Sequence, residues 1–127
     1  VIEPAAAAFA AARRTDADLA EMRSALDAMK HYGLADARGQ SADQQFHRAI
    51  LAAARNTPLA TLANSVGAAV RWTTKFKQRK RALPRDPLPD HVRVLDAIAA
   101  SDADAAREAM VTLLKLALRD MGLAQRG

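Results

Sequence analysis

The sequence predicts an all-α fold, an antiparallel bundle of six to seven helices. Three observations carry that prediction. Half of the residues are apolar, and that half is mostly Ala and Leu, both strong helix formers. Aromatic residues make up only 4% of the chain, and Val and Ile are few, which leaves little material for strands. The five glycines and five prolines gather at boundaries, whereas a chain of short strands would need a turn signal every ten residues or so.

Each helix has its own signature. The chain opens at Val1-Ile2-Glu3-Pro4 directly in a helical pattern, with Pro4 where a first turn tolerates it, and the first helix runs to about Arg14. Thr15 or Asp16 caps a second helix through about His31, whose apolar stripe is Leu19, Met22, Leu26 and Met29. Tyr32-Gly33-Leu34 breaks it, with Gly33 suited to a C-terminal cap. Residues Ala35 to Gln40 read as a short linker or single turn. A third helix spans about Ser41 to Arg55 with Phe46, Ile50 and Leu51 inward, and Asn56-Thr57-Pro58 ends it. A fourth covers about Pro58 to Arg79 and carries Leu59, Leu62, Val66, Ala69 and Val70. Leu83 to Pro89 holds three of the five prolines and reads as a loop. Asp90 begins a fifth helix to about Ala100 with Val94, Leu95 and Ile98 apolar. Ser101-Asp102 starts a sixth through about Leu123, with a stripe of Ala106, Met110, Leu113, Leu114 and Ala117.

Length and composition exclude several classes. At 127 residues the chain fits one domain, read as 1–127. There is no cysteine, so disulfide frameworks and thiolate metal sites are ruled out. The longest apolar stretches, such as Ala5 to Ala12, are too short to span a bilayer, and no basic-then-apolar leader opens the chain. A cytoplasmic location is the expectation. The net charge of +5 comes mostly from Lys75, Lys77, Arg79, Lys80, Arg81 and Arg85, and such a run reads as a solvated, dipole-compatible helix end. His31, at a helix C-terminus, reads the same way. Trp72 and Phe76, one turn apart, read as packing residues, because single-strand binding needs several interleaved aromatics.

Asp43, His47 and His91 are the residues with chemistry to offer. Asp43 and His47 are four apart on one helix, so their side chains share a face one turn apart. That spacing lets a helix present two ligands to one ion, and imidazole with carboxylate suits Zn, Ni, Mn or Fe(II). The same spacing also describes a surface ion pair, and a first-turn His91 also fits a solvated position. On spacing alone both readings stand.

A resemblance separates them. Asp43-Gln44-Gln45-Phe46-His47-Arg48-Ala49-Ile50 resembles the D-x-x-F-H-x-x-I signature of the FCD domain, the C-terminal ligand-binding domain of FadR-type GntR transcription regulators. Glu3-Pro4-Ala5-Ala6 with Ala10-Ala11-Ala12 resembles that family's opening helix, and Asn56 follows at the usual distance. His91 with Val94-Leu95-Asp96-Ala97-Ile98 resembles its H-x-x-I-x-x-A-I segment with one extra residue. Asp102 through Ala106-Arg107-Glu108-Ala109-Met110 resembles its D-x-x-x-A-R-x-A-M helix. The likeness covers nearly the whole chain.

The resemblance implies a cavity within the bundle lined by an Asp and three His in the metal-binding members. Asp43, His47 and His91 fall on three of those positions, and the fourth falls on Leu113, which cannot ligate. Two outcomes follow: a divalent ion (Zn, Ni or Mn) whose open positions take water and an effector carboxylate, or no metal, with both histidines donating to an anionic effector. The resemblance further implies a small carboxylate, a sugar acid or an acyl-CoA as effector, and regulators responding to sugar acids such as galactonate are similar here. Arg71 on the fourth helix would clamp a carboxylate or snorkel from the bundle edge, and Asn64 and Ser65 would recognise hydroxyls. A further arginine that the family places in the first helix would fall before Val1. In family terms the domain dimerises, and a winged helix-turn-helix domain, expected to be absent from this chain, binds operator DNA.

The function expected is effector sensing by a transcription regulator, with no membrane partner and no catalytic role. The alternatives are a metal-dependent carboxylate-processing enzyme and a helical adaptor without a ligand. The first lacks any nucleophile–base pair, glycine-rich phosphate loop or second acid; the second requires Asp43 and His47 to face solvent over an apolar-filled interior.

Overall fold

A computed structural model of the chain describes residues 2–62 and 88–126, with side chains through residue 117. The described residues form six helices and their connections, without a strand, arranged as a bundle. They are α1 (Ile2–Arg13), α2 (Asp16–Tyr32), α3 (Ala37–Ala54), α4 (described over 57–62), α5 (Leu88–Ala99) and α6 (Ala103–Arg126).

The caps follow the sequence closely. Thr15 Oγ1 accepts from the Asp18 amide at 3.2 Å while Asp18 Oδ2 accepts from the Thr15 amide at 2.8 Å, a reciprocal capping box that starts α2. Asn56 Oδ1 accepts from the Leu59 amide at 3.1 Å and opens α4, and Asp102 Oδ1 accepts from the Ala105 amide at 3.0 Å and opens α6. Gly33 ends α2 at φ 76°, its amide donating to Met29 O at 2.9 Å.

Two boundaries differ from expectation. Residues 37–40 are helix, not linker: Asp36 is the N-cap, accepting from the Arg38 amide at 2.7 Å, and bonds from Arg38 hold its carboxyl at about 2 so that the cap stays ionised. Gly39 belongs there because the Gly33 carbonyl lies where its Cβ would stand. At the other boundary α5 begins at Leu88, not Asp90, since Pro89 in a first turn gives up an amide that has no helical partner anyway. Residues 83–87 and the helix expected through Arg79 lie outside the described residues beyond 62.

Alanine decides how the helices meet. Ala6, Ala7, Ala10 and Ala11 are buried along α1, and their single methyls let α1 lie close against α3, α5 and α6. α2 packs on α3 and α5, and α5 packs on α6. Phe46, Met22, Ile50, Ile98, Met110 and Val94 fill the centre. The expected stripes of α2 and α5 are buried as read. Leu51, Leu59 and Leu114 are partly buried against the core, whereas Ala117 is exposed and Leu62 is 54% exposed.

Three arginines close one end of the bundle. Arg13 donates to Ala54 O at 3.0 Å and Arg55 O at 3.2 Å. Arg55, in the left-handed conformation at φ 50°, donates to Arg13 O at 3.0 Å and to Asp18 Oδ2 at 3.0 Å. Arg14 donates to Ala99 O at 2.7 Å. These bonds satisfy carbonyls that the ends of α1, α3 and α5 leave unpaired, so those helices share a common C-terminal end. Their N-terminal portions, carrying Glu3, Asp43 and His91, gather away from it.

Gly39→Ala separates propensity from packing. On propensity alone the change stabilises a helix by up to about 1 kcal/mol. The obstacle here is the Gly33 backbone, so the variant is expected to lose about 1–3 kcal/mol as an overpacked site does. Urea unfolding of the variant against wild type measures the sign.

Candidate metal centre

The centre is assembled from two helices. α3 supplies Asp43 and His47, one turn apart on one face, and the first turn of α5 supplies His91. Asp43 Oδ1 is the common point: His91 Nε2 lies 2.8 Å from it and His47 Nε2 lies 3.1 Å from it. One donor atom from each of the three residues falls within 4.8 Å of the others. The imidazole rings of His47 and His91 stand edge to face with centroids 5.6 Å apart. The wholly buried Phe46 ring abuts both, at 5.7 Å from His47 and 5.3 Å from His91. His91 is itself buried, at 3% exposure, while Asp43 and His47 are half-buried.

α1 adds a residue that the sequence reading did not single out. Glu3 Oε1 lies 2.6 Å from His47 Nδ1. The pair is short but poorly aligned, since this buried Nδ1 has no hydrogen-bonded partner. An acid in the first turn of a helix ordinarily reads as a dipole-compatible surface group, and Glu3 entered the sequence reading only as part of the opening-helix likeness, with no role at the site. The signal lies in the tertiary approach of α1 to α3.

Charge runs through the cluster in alternation. Burial opposes ionisation of Asp43, but His47 and then His91 more than offset it and hold its carboxyl far below the usual range. Burial likewise works against Glu3, and His47 overcomes it and lowers its pKa. For His47, burial disfavours the cation, yet the negative charges of Glu3 and Asp43 raise its pKa well above 6.5. In the metal-free chain His47 is therefore an imidazolium lodged between two carboxylates.

The donor set fits a divalent cation. Ligand bonds of about 2.1 Å in a tetrahedral zinc site place donor atoms about 3.4 Å apart, so the contacts to Asp43 Oδ1 at 3.1 and 2.8 Å need open by about 0.3 and 0.6 Å. Two imidazole nitrogens and one carboxylate oxygen suit Zn, Ni or Mn. Leu113, the position expected to lack a ligand, is buried in the hydrophobic core. Asn64, Ser65 and Arg71 lie outside the described residues. Among the described residues no helix is long and apolar enough to cross a membrane.

These shifts set a pH window for the metal-free chain. His47 has a folded pKa above its unfolded 6.5, so its contribution is full below about pH 6.5 and is lost as pH rises through the folded value. Asp43 and Glu3 have folded pKa values below 3.8 and 4.5, so theirs is full above about pH 5 and is lost as pH falls through the folded values. Thermal melts in chelator across that range are expected to show a maximum between the two limits, and His47→Gln to remove the alkaline-side decline. A flat alkaline side in the wild type contradicts the charged imidazole.

Comparison with known proteins agrees with this architecture. Residues 1–116 match the FCD domain. The galactonate operon transcriptional repressor of Escherichia coli (strain K12) is 31% identical over 121 residues, covering 94% of this chain and 52% of that protein. The HTH-type transcriptional regulator LutR of Bacillus subtilis (strain 168) is 29% identical over 119 residues, covering 90% of this chain and 54% of its own length. The chain thus spans about half the length of the curated relatives it matches, and both of those are named as transcriptional regulators. A helical bundle that gathers Asp43, His47 and His91, matched over residues 1–116, belongs to the FCD domain family of transcription regulators.

Proposed function

We propose that this chain is the effector-binding and dimerisation domain of a GntR-type regulator, and that it senses a small carboxylate or sugar acid through a divalent ion held by Asp43, His47 and His91. The observation that carries the reading is the convergence of both imidazole Nε2 atoms on Asp43 Oδ1. In the assembled regulator, operator DNA is bound by a separate winged helix-turn-helix domain, and effector occupancy shifts that domain's geometry by its differential affinity for two arrangements. The domain works as a homodimer.

Electrostatics favours the metal over its absence. Glu3 and Asp43 put two carboxylates at the centre. Against a single imidazolium at His47 they leave the metal-free centre net negative, so a bare anionic effector meets like charge in a partly desolvated site, where repulsion is stronger than in water. A divalent cation reverses that sign. With Leu113 in place of a fourth ligand, the ion keeps open positions for an effector carboxylate, as open sites do. Arg71, with Asn64 and Ser65, would engage the far end of the effector. The relative named for a galactonate operon supports a sugar acid as the class.

Melting the domain against a panel of sugar acids and small carboxylates, with and without Zn, Ni or Mn, tests the reading. A ligand at about 100 times its Kd stabilises by about 2.7 kcal/mol, a shift readily seen. The shift is expected only with metal present and only with His47 intact, so His47→Ala abolishes it. Absence of any shift across the panel, in either condition, refutes effector sensing at this centre.

A further inference from the structure

An imidazole can give only one of its nitrogens to an ion in a given orientation, and the group facing the other nitrogen decides which one. For His47 that group is Glu3. Its Oε1 stands 2.6 Å from Nδ1, on the edge of the ring opposite the Nε2 that faces Asp43. We propose that Glu3 is a positioning residue for the metal centre: it keeps the proton of His47 on Nδ1 and turns Nε2 toward Asp43 and His91.

Three features of the structure support this role. The first is rigidity. Glu3 sits in the first turn of α1, and the buried alanines Ala6, Ala7, Ala10 and Ala11 seat that helix against α3, so the carboxylate is not on a loop that can swing aside. The second is the buried Nδ1, which lacks an aligned acceptor although Glu3 is in contact; a small rotation of ring or carboxylate completes the bond. The third is charge. With Asp43, Glu3 brings two negative charges to the centre, which balance a divalent cation when both imidazoles are neutral. Glu3 is not itself a ligand in this arrangement, because the His47 ring stands between its carboxylate and the point where both Nε2 atoms meet.

The inference rests on the metal reading of the centre, and the experiment separates the two. Affinities of the wild type, Glu3→Gln and Glu3→Ala for Zn2+ and Co2+ are measured by chelator competition. Removing such an outer partner weakens metal binding about 10–100-fold, and both variants are expected in that range. Glu3→Gln is isosteric, keeps the fold checked by helical circular dichroism, and carries the test if Glu3→Ala loosens α1. Glu21→Gln, an exposed acid on α2, is expected to bind as wild type does, which excludes a general charge effect. In the 15N-histidine spectrum of the zinc-loaded wild type, His47 is expected to show a protonated Nδ1 and a ligated Nε2, and Glu3→Ala to lose that single state. Glu3 variants that bind within twofold of wild type, with His47 still ligated through Nε2, overturn the role of Glu3 and leave the metal centre standing. A wild-type chain that takes up neither ion overturns the centre itself, and the role of Glu3 with it.

Discussion

The close seating of α1 on its neighbours is the constraint from which the rest follows. Five alanines of α1 are buried, and four of them, Ala6, Ala7, Ala10 and Ala11, each contribute a single methyl to the core. Their energetic weight is small beside that of Phe46, Met22 or Ile50, each worth about 1.5–3 kcal/mol on burial. Their weight in geometry is larger. Helix axes approach only as closely as the side chains between them allow, and methyl-sized groups let α1 touch α3, α5 and α6 at once. A bulkier face would hold the α1 backbone away from α3, and the Glu3 carboxylate with it.

That proximity makes the polar cluster tenable. Burying charge is costly unless every charge finds a partner. Glu3, His47, Asp43 and His91 form an unbroken series of contacts at 2.6, 3.1 and 2.8 Å, with the Phe46 ring beneath. The apolar floor lowers the local dielectric and strengthens each attraction, while making any lost partner more costly. The cluster thus combines two features expected of a site that accepts a cation: nitrogen and oxygen donors converging on one point, and an excess of negative charge surrounding it.

The opposite end of the bundle has a different task. There Arg13, Arg14 and Arg55 spend their donors on the carbonyls that close α1, α3 and α5. The clamp ties the C-terminal ends of the helices whose N-terminal portions carry the site. A residue pulled at the Glu3 end of α1 is therefore resisted at the Arg13 end, so the centre sits on rigid elements and not on loops.

Much of this was legible in the sequence because it depends on local rules. Ala and Leu content, the scarcity of strand formers, the capping residues Thr15 and Asp102, and the apolar stripes of α2 and α5 each act within a few residues and specify helices directly. The i, i+4 spacing of Asp43 and His47 belongs to the same category, and the likeness of the surrounding segments to a known family extended it to His91 and to the substitution at Leu113. What escaped was set by contacts between distant segments. Gly39 reads as linker until the Gly33 carbonyl is seen to occupy the place of its Cβ, and Ala117 reads as core until the packing leaves it outside. Glu3 reads only as part of the opening helix until α1 is laid on α3. By itself the sequence determined the helices, because hydrogen bonding and periodicity are local, and it singled out Asp43, His47 and His91 as the candidate trio through the likeness of their segments to a known family. Only the tertiary structure decided that one carboxylate oxygen would serve both imidazoles and that Glu3 would stand behind His47, because those distances depend on how closely alanine lets two helices approach.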